Sequence, residues 1–318
     1  AQYVAKQKKS KQLGIDAAIS RKVKIEWAES DLVKPPFLGS RELTASLDEI
    51  AGYIDWTPFF HAWELKGTYP KILENPRYGD KAKELLDEGK AMLAMLISDG
   101  RLQAKGVYGF FPASSTGEDI VIYDESRASE RARFPMLRQQ GELKTCYSLA
   151  DFVAPEGTLS DHVGAFAVTA GLGLDEITGE MEAAHDDYSA IMAKAVADRL
   201  AEAFAELAHE QVRRETGIAR DESKADLIRE NYRSIRPAFG YPACPDHAPK
   251  EELFALLDAT ASTGISLTES MAMLPTASVS GLYFFHPKAQ YFSVGSIGDD
   301  QMAAYKKRGG KALGIGHI

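Results

Sequence analysis

Apolar positions along this chain fall into segments of two kinds, some with helical spacing and some dense enough to be strands. The longest helical pattern runs from about His185 to Glu215. There Tyr188, Ile191, Met192, Ala195, Val196, Leu200, Ala203, Phe204 and Leu207 recur every three or four residues, with charges between them. A second stripe (Leu85, Leu86, Met92, Leu93, Met95, Leu96, Ile97) predicts an amphipathic helix over 79–98. Ser46 stands where an N-cap would precede a short helix over 46–55. Further short helices are expected at 223–233, at 250–260 and from Asp299 onward.

The strand-like runs are 105–124, broken by PASSTG at 112–117 into a strand, turn and strand, and then 146–155 and 161–171. SVSGLYFFHP (278–287) and QYFSVGSIG (290–298) read as a strand pair. Helices and strands do not alternate as βαβ units. The expected class is therefore α+β, an antiparallel sheet with flanking helices. Residues 1–40 carry no clear period and begin lysine-rich, so they are expected to be a linker or arm from an upstream module. Residues 41–318 are expected to form one domain.

Composition narrows the class without deciding it. Hydrophobic residues make up 45% and charged residues 26% of 318, enough for a sizeable core. The net charge of −9 argues against nucleic acid or an anionic membrane as a partner. Cys146 and Cys244 are too few and too far apart for a zinc ribbon or a disulfide framework, and are expected to be reduced thiols of a cytoplasmic protein. No apolar run reaches membrane-span length, and the first residues carry no signal-peptide pattern. The seven histidines are scattered without ligand spacing, so no metal site is expected. Gly171-Leu-Gly173 follows a strand-like run, but Glu176 replaces the third glycine of a dinucleotide fingerprint. A plain turn is the better reading.

The segment RPAFGYPACPDH (236–247) is the strongest candidate for chemistry. Its prolines and Gly240 impose an irregular backbone whose N–H and C=O groups cannot all enter a ladder. Small residues at Ala238 and Gly240 would let a planar ring approach, and Arg236 is suited to a carboxylate. The same residues also suit an ordinary proline-rich surface loop, and the spacing alone leaves both readings open.

RPAFGYPACPDH, together with IDWTPFFHAWELKGTYP, SLADFVAP, GAFAVTAG, HDDYSAIMAKAVADRLAEAFAE, LIRENYRSIRP and LTESMAMLPTASVSGLYFFHP, resembles the activation domain of cobalamin-dependent methionine synthase. The resemblance covers roughly residues 45–305. It implies a single C-shaped α+β domain with a twisted antiparallel sheet that binds S-adenosylmethionine. It also implies supply of the methyl group for reductive methylation of cob(II)alamin held by a partner domain, with flavodoxin or an equivalent reductase as electron donor. Such a chain is part of an enzyme of methionine biosynthesis and is not self-sufficient. It lacks the DxHxxG motif of the family's cobalamin-binding module, and 318 residues leave no room for the homocysteine and folate modules.

Residue by residue, the resemblance assigns Asp55 to the ligand's ammonium group and Arg236 to its carboxylate. It assigns the backbone from Ala238 through Gly240 to Tyr241 to the adenine and ribose edges, and Tyr283 and Phe284 to the pocket wall. Tyr241 is further expected to lie toward the cobalamin face. Glu202 and Glu230 are lesser candidates for stabilising the sulfonium. Each has a structural alternative: Asp55 can cap the turn that follows it, and Tyr283 and Phe284 alternate along a strand, so one should face away. No catalytic acid or base is assigned, since a sulfonium leaves without one. Two other readings remain at this stage. A regulatory S-adenosylmethionine sensor without methyl transfer would lack a cobalamin-binding partner. A self-contained methyltransferase would need an acceptor site of its own.

Overall fold

The computed structural model describes residues 12–314 apart from 224, 225, 228 and 230. Its centre is a six-stranded sheet in which every pairing is antiparallel. The strands are β1 (Gly39–Leu43), β2 (Gln103–Thr116), β3 (Asp119–Tyr123), β4 (Glu130–Pro135), β5 (Asp161–Leu172) and, after a two-stranded ribbon of β6 (Ser266–Leu267) and β7 (Met273–Leu274), β8 (Ser278–Tyr283). Their order is β4-β3-β2-β5-β8, with β1 on the same edge of β2 as β3. This is the α+β class expected from the pattern.

The PASST stretch, expected to break the hairpin, continues β2 as far as Thr116. Pro112 falls between the end of β1 pairing at Phe110 and the start of β3 pairing at Ala113. A missing N–H therefore breaks no ladder bond on that side. The 146–155 run is not a strand. The Ser148 N–H donates to the Asp151 carboxylate at 2.9 Å across the start of a 3-10 turn, Leu149–Phe152. The proposed pairing of 278–287 with 290–298 is also replaced. β8 pairs with β5, Gly164 facing Tyr283 and Thr169 facing Ser278, and residues 290–298 form no strand.

Helices stand where they were expected near 46–55, 79–98, 185–215, 250–260 and from Asp299, and three more, Ile15–Ser20, Thr57–Ala62 and Leu174–Ala183, were not predicted. In chain order they begin with α1 (Ile15–Ser20), α2 (Leu47–Ala51), α3 (Thr57–Ala62), α4 (Gly79–Asp99), α5 (Leu174–Ala183) and α6 (Asp187–Glu215). Helices Lys250–Leu257, Ala259–Thr263 and Asp299–Lys307 follow, the first two divided at Asp258, where φ is +52°. Ser46 caps α2 as predicted, accepting the Glu49 N–H. Gly173 opens α5 at φ +84°, in a place where a Cβ would strike the Arg101 carbonyl oxygen at 2.4 Å; the glycine serves this turn. The short helix expected over 223–233 includes residues outside the described ones.

The alternation of β5 divides the core into two. Phe166, Val168 and Ala170 join Tyr108, Phe110, Tyr283 and the buried faces of α4 and α6. Ala165, Ala167, Leu282 and Phe284 pack on the opposite face with Phe152, Phe239 and the helix Lys250–Leu257. Residues 12–40, expected as an arm, lie against this body. Gln12 bridges to Gly141, Ala18 and Val33 are buried, and Arg233 donates to the Asp31 carbonyl at 2.6 Å.

Candidate functional site

The RP segment is built onto the open edge of β8. Ile235 and Phe284 exchange backbone hydrogen bonds, and the Leu282 N–H donates to the Pro237 carbonyl at 3.1 Å. Gly281 makes that approach possible, since a Cβ there would lie 2.5 Å from the Pro237 oxygen. Strand-like alternation follows from this docking: Ile235, Pro237 and Phe239 are buried, while Arg236 and Ala238 turn the other way. Phe239 stacks on Phe134 with ring centroids 5.6 Å apart, which anchors the segment from below.

Opposite this edge, α6 presents Arg199, Glu202, Ala203 and Glu206 at spacings that put them on one face. Between helix and segment lies a cleft of two lobes. One, of about 380 Å³, is lined by Tyr53, Asp55, Pro58, Arg199, Glu202, Glu206 and Arg236 among others. The other, of about 260 Å³, is lined by Ala238, Tyr241, Pro242, Ala243, Tyr291 and Phe292 among others, and shares Glu202 and Arg236 with the first. The first lobe is dominated by charge and the second by carbon, an arrangement suited to a ligand with an ionic end and an aromatic end.

Of the residues expected to bind, Asp55, Glu202, Arg236, Ala238 and Tyr241 meet at this cleft. Asp55 also has the structural role weighed for it, one oxygen accepting the Thr57 N–H at 2.9 Å. Gly240 lines neither lobe; it faces the His247 ring. Tyr283 and Phe284 do not wall the cleft. They are buried on opposite faces of the sheet, Tyr283 between Phe166 and His209. The aromatic wall is Tyr291 and Phe292, and the Tyr291 hydroxyl accepts the Arg236 backbone N–H at 3.0 Å. The backbone of 238–241 is also less open than expected. Gly240 N–H donates to the Cys244 carbonyl and Tyr241 N–H to that of Ala238, because the segment closes on itself as a compact turn. Glu230 lies outside the described residues.

Sequence reasoning passed over Tyr53, Arg199, Glu206, Tyr291 and Phe292. The signal for the α6 members was present: charges at 199, 202 and 206 share a stripe with apolar Ala203. Below the cleft, His209 is fully buried, and desolvation with Arg236 and Arg213 nearby holds its imidazole well below its ordinary pKa. Tyr53 donates to Glu210 at 2.6 Å; burial and that carboxylate push its phenol up to about 12. At the mouth, Tyr241 and Tyr291 are exposed, at 56% and 44%.

Fold and cleft define the class as an α+β domain with a charged, aromatic-walled cleft between its long helix and an edge segment. The family model of the vitamin B12 dependent methionine synthase activation domain matches residues 46–310. The crystal structure of the MetH reactivation domain bound to AdoHcy is similar at 46% identity and a TM-score of 0.89, over 93% of this chain and 94% of that one. The chain belongs to this family: it is a reactivation domain of vitamin B12 dependent methionine synthase, one part of a multidomain enzyme.

Proposed function

We propose that this chain binds S-adenosylmethionine in the two-lobed cleft and presents its methyl group to the cobalamin of a partner domain. The observation that carries the reading is the meeting of Arg236 and Asp55 in one cleft, beside an aromatic wall. Arg236 receives the ligand's carboxylate and Asp55 its ammonium group, while Tyr291 and Phe292 cover the adenosine. Glu202, shared by both lobes, is placed to favour the sulfonium cation. The similar MetH domain holds AdoHcy, the same molecule without the transferred methyl.

Bound cobalamin supplies the metal centre that accepts the methyl group. This chain's residues bind, orient and exclude water; a sulfonium leaves without protonation, so no acid is required. Exposed Tyr241 and Tyr291 at the cleft mouth form the surface on which the corrin-bearing domain docks. The ligand-binding unit takes in residues 46–310 and the segment 12–40 that packs against them. Flavodoxin or an equivalent reductase supplies the electron.

Calorimetric titration with AdoHcy tests the binding. Saturable binding by the wild type, weakened at least tenfold in both Arg236→Ala and Asp55→Ala, is the expected result. Unchanged affinity in both variants would remove the cleft from the account. Replacing AdoHcy with S-adenosylmethionine and adding the cobalamin-binding domain and a chemical reductant then tests transfer. Binding without transfer would leave a sensor.

A further inference from the structure

We propose that Glu206, which carries no assigned role, is a positioning residue that fixes the Arg236 guanidinium for the carboxylate of the ligand. This deepens the proposed function and rests on it.

Three atoms form a closed triangle under the cleft. Arg236 Nη1 lies 2.8 Å from Glu206 Oε2 and donates to the Tyr232 hydroxyl at 2.7 Å. Tyr232 in turn donates to Glu206 Oε2 at 3.0 Å. A guanidinium held at one nitrogen by two partners that are bonded to each other loses its freedom to swing. Glu206 is anchored on α6 and only 5% exposed, so it does not move away to admit a ligand.

The triangle is itself braced. The Arg213 guanidinium lies 3.6 Å from the centroid of the Tyr232 ring, and His209 meets the same ring edge-on at 5.1 Å. Arg213 is fully buried and makes no side-chain hydrogen bond among the described residues; its nearest carboxylate oxygen there is Glu206 Oε1 at 3.9 Å. Glu206 is therefore held between two guanidiniums. The oxygen it turns to Arg236, at 2.8 Å, is the one that orients that guanidinium, while the other faces Arg213 at 3.9 Å. A carboxylate at this place also competes with the ligand for Arg236. The two effects have opposite signs on affinity. Orientation prevails here because the helix-borne Glu206 keeps its own geometry and leaves the rest of the guanidinium set.

The test compares two ligands, AdoHcy and its decarboxylated analogue, which keeps the amine, thioether and adenosine. Glu206→Gln should weaken AdoHcy about tenfold and the analogue less than twofold, and Tyr232→Phe should show the same preference more weakly. Because Glu206→Gln leaves Arg213 buried without its carboxylate, Glu206→Gln combined with Arg213→Met is measured beside it and should show the same ligand-dependent loss. Arg213→Met alone should leave the ratio of the two affinities unchanged. Equal weakening of both ligands would make Glu206 a scaffold residue only, and tighter AdoHcy binding would make it a competitor; either overturns the positioning role. A wild type that binds neither ligand overturns the functional reading as well, and so is distinguished from a failure confined to Glu206.

Discussion

Gly240 faces the imidazole of His247 so closely that a Cβ at position 240 would lie 2.1 Å from the ring carbon Cε1. Its φ is +95°, a region that L side chains rarely adopt. The two constraints reinforce each other: the turn that places Arg236 and Ala238 at the cleft closes only if position 240 has no side chain. Gly240→Ala should cost about 1–3 kcal/mol of stability and weaken AdoHcy by more than the Ala238→Ser change does. Urea unfolding and calorimetry on the two variants check this. Wild-type stability and affinity in Gly240→Ala would show that the turn can relax.

The two aromatic pairs should separate cleanly. Tyr291→Ala removes the wall of the second lobe and should weaken AdoHcy about tenfold, or about 1.4 kcal/mol, with little change in melting temperature. Tyr283 is fully buried and its hydroxyl has no hydrogen-bond partner among the described residues. Tyr283→Phe should leave affinity unchanged and raise stability by up to about 1 kcal/mol, since an unsatisfied buried group is removed. If Tyr283→Phe lost AdoHcy binding while Tyr291→Ala kept it, the assignment of the wall would be reversed.

Asp161 and His162, adjacent at the start of β5, should oppose each other in pH dependence. Burial pushes the Asp161 carboxyl up to about 6 and pulls the His162 imidazole down to about 4. A carboxyl raised from 3.8 gives stability that is complete at low pH and is lost as pH rises through about 6. An imidazole lowered from 6.5 gives stability that is complete above 6.5 and is lost as pH falls through about 4. The two slopes cancel between them. Asp161→Asn should therefore make stability climb more steeply from acid to neutral pH than in the wild type, and His162→Gln less steeply. Denaturant midpoints across that range give the slopes; parallel curves for all three proteins would refute the coupling.

Arg138 is 1% exposed and holds Glu118 at 2.9 Å, Asp151 at 2.6 Å and the Cys146 carbonyl at 2.7 Å. Arg138→Met strands two acids in a partly buried site and should cost about 3–5 kcal/mol. Loss of less than 1 kcal/mol in chemical denaturation would mean that those carboxylates rehydrate freely.

Helices were legible because their signal is local. The stripe along α6 and the Ser46 cap need no knowledge of distant residues. Strand partners were not, since β8 and the 290–298 run have similar composition, and only the edge of β5, more than a hundred residues away, decides which one pairs. The 3-10 turn at Leu149–Phe152 was hidden for a different reason. Its apolar run resembles a strand, and the Asp151 carboxylate, which accepts the Ser148 N–H and is held by Arg138, outweighs propensity. In the cleft, Arg236 stood out through the chemistry of its own segment and Asp55 through the family motif. The aromatic wall was missed because Tyr283-Phe284 and Tyr291-Phe292 are the same dipeptide eight residues apart. Glu206 was missed because an acid on a helix is ordinarily solvated; its burial beside Arg213 is set by tertiary packing.

The stripe Arg199, Glu202, Glu206 on α6 has a consequence for how such a domain can diverge. Each residue added to or deleted from an α-helix turns everything beyond it by about 100°. One insertion early in α6 would carry these side chains out of the cleft and drive others into the sheet. Side chains on the exposed face of α6 are free to drift over generations, but the number of residues between its N-cap and Glu206 is not.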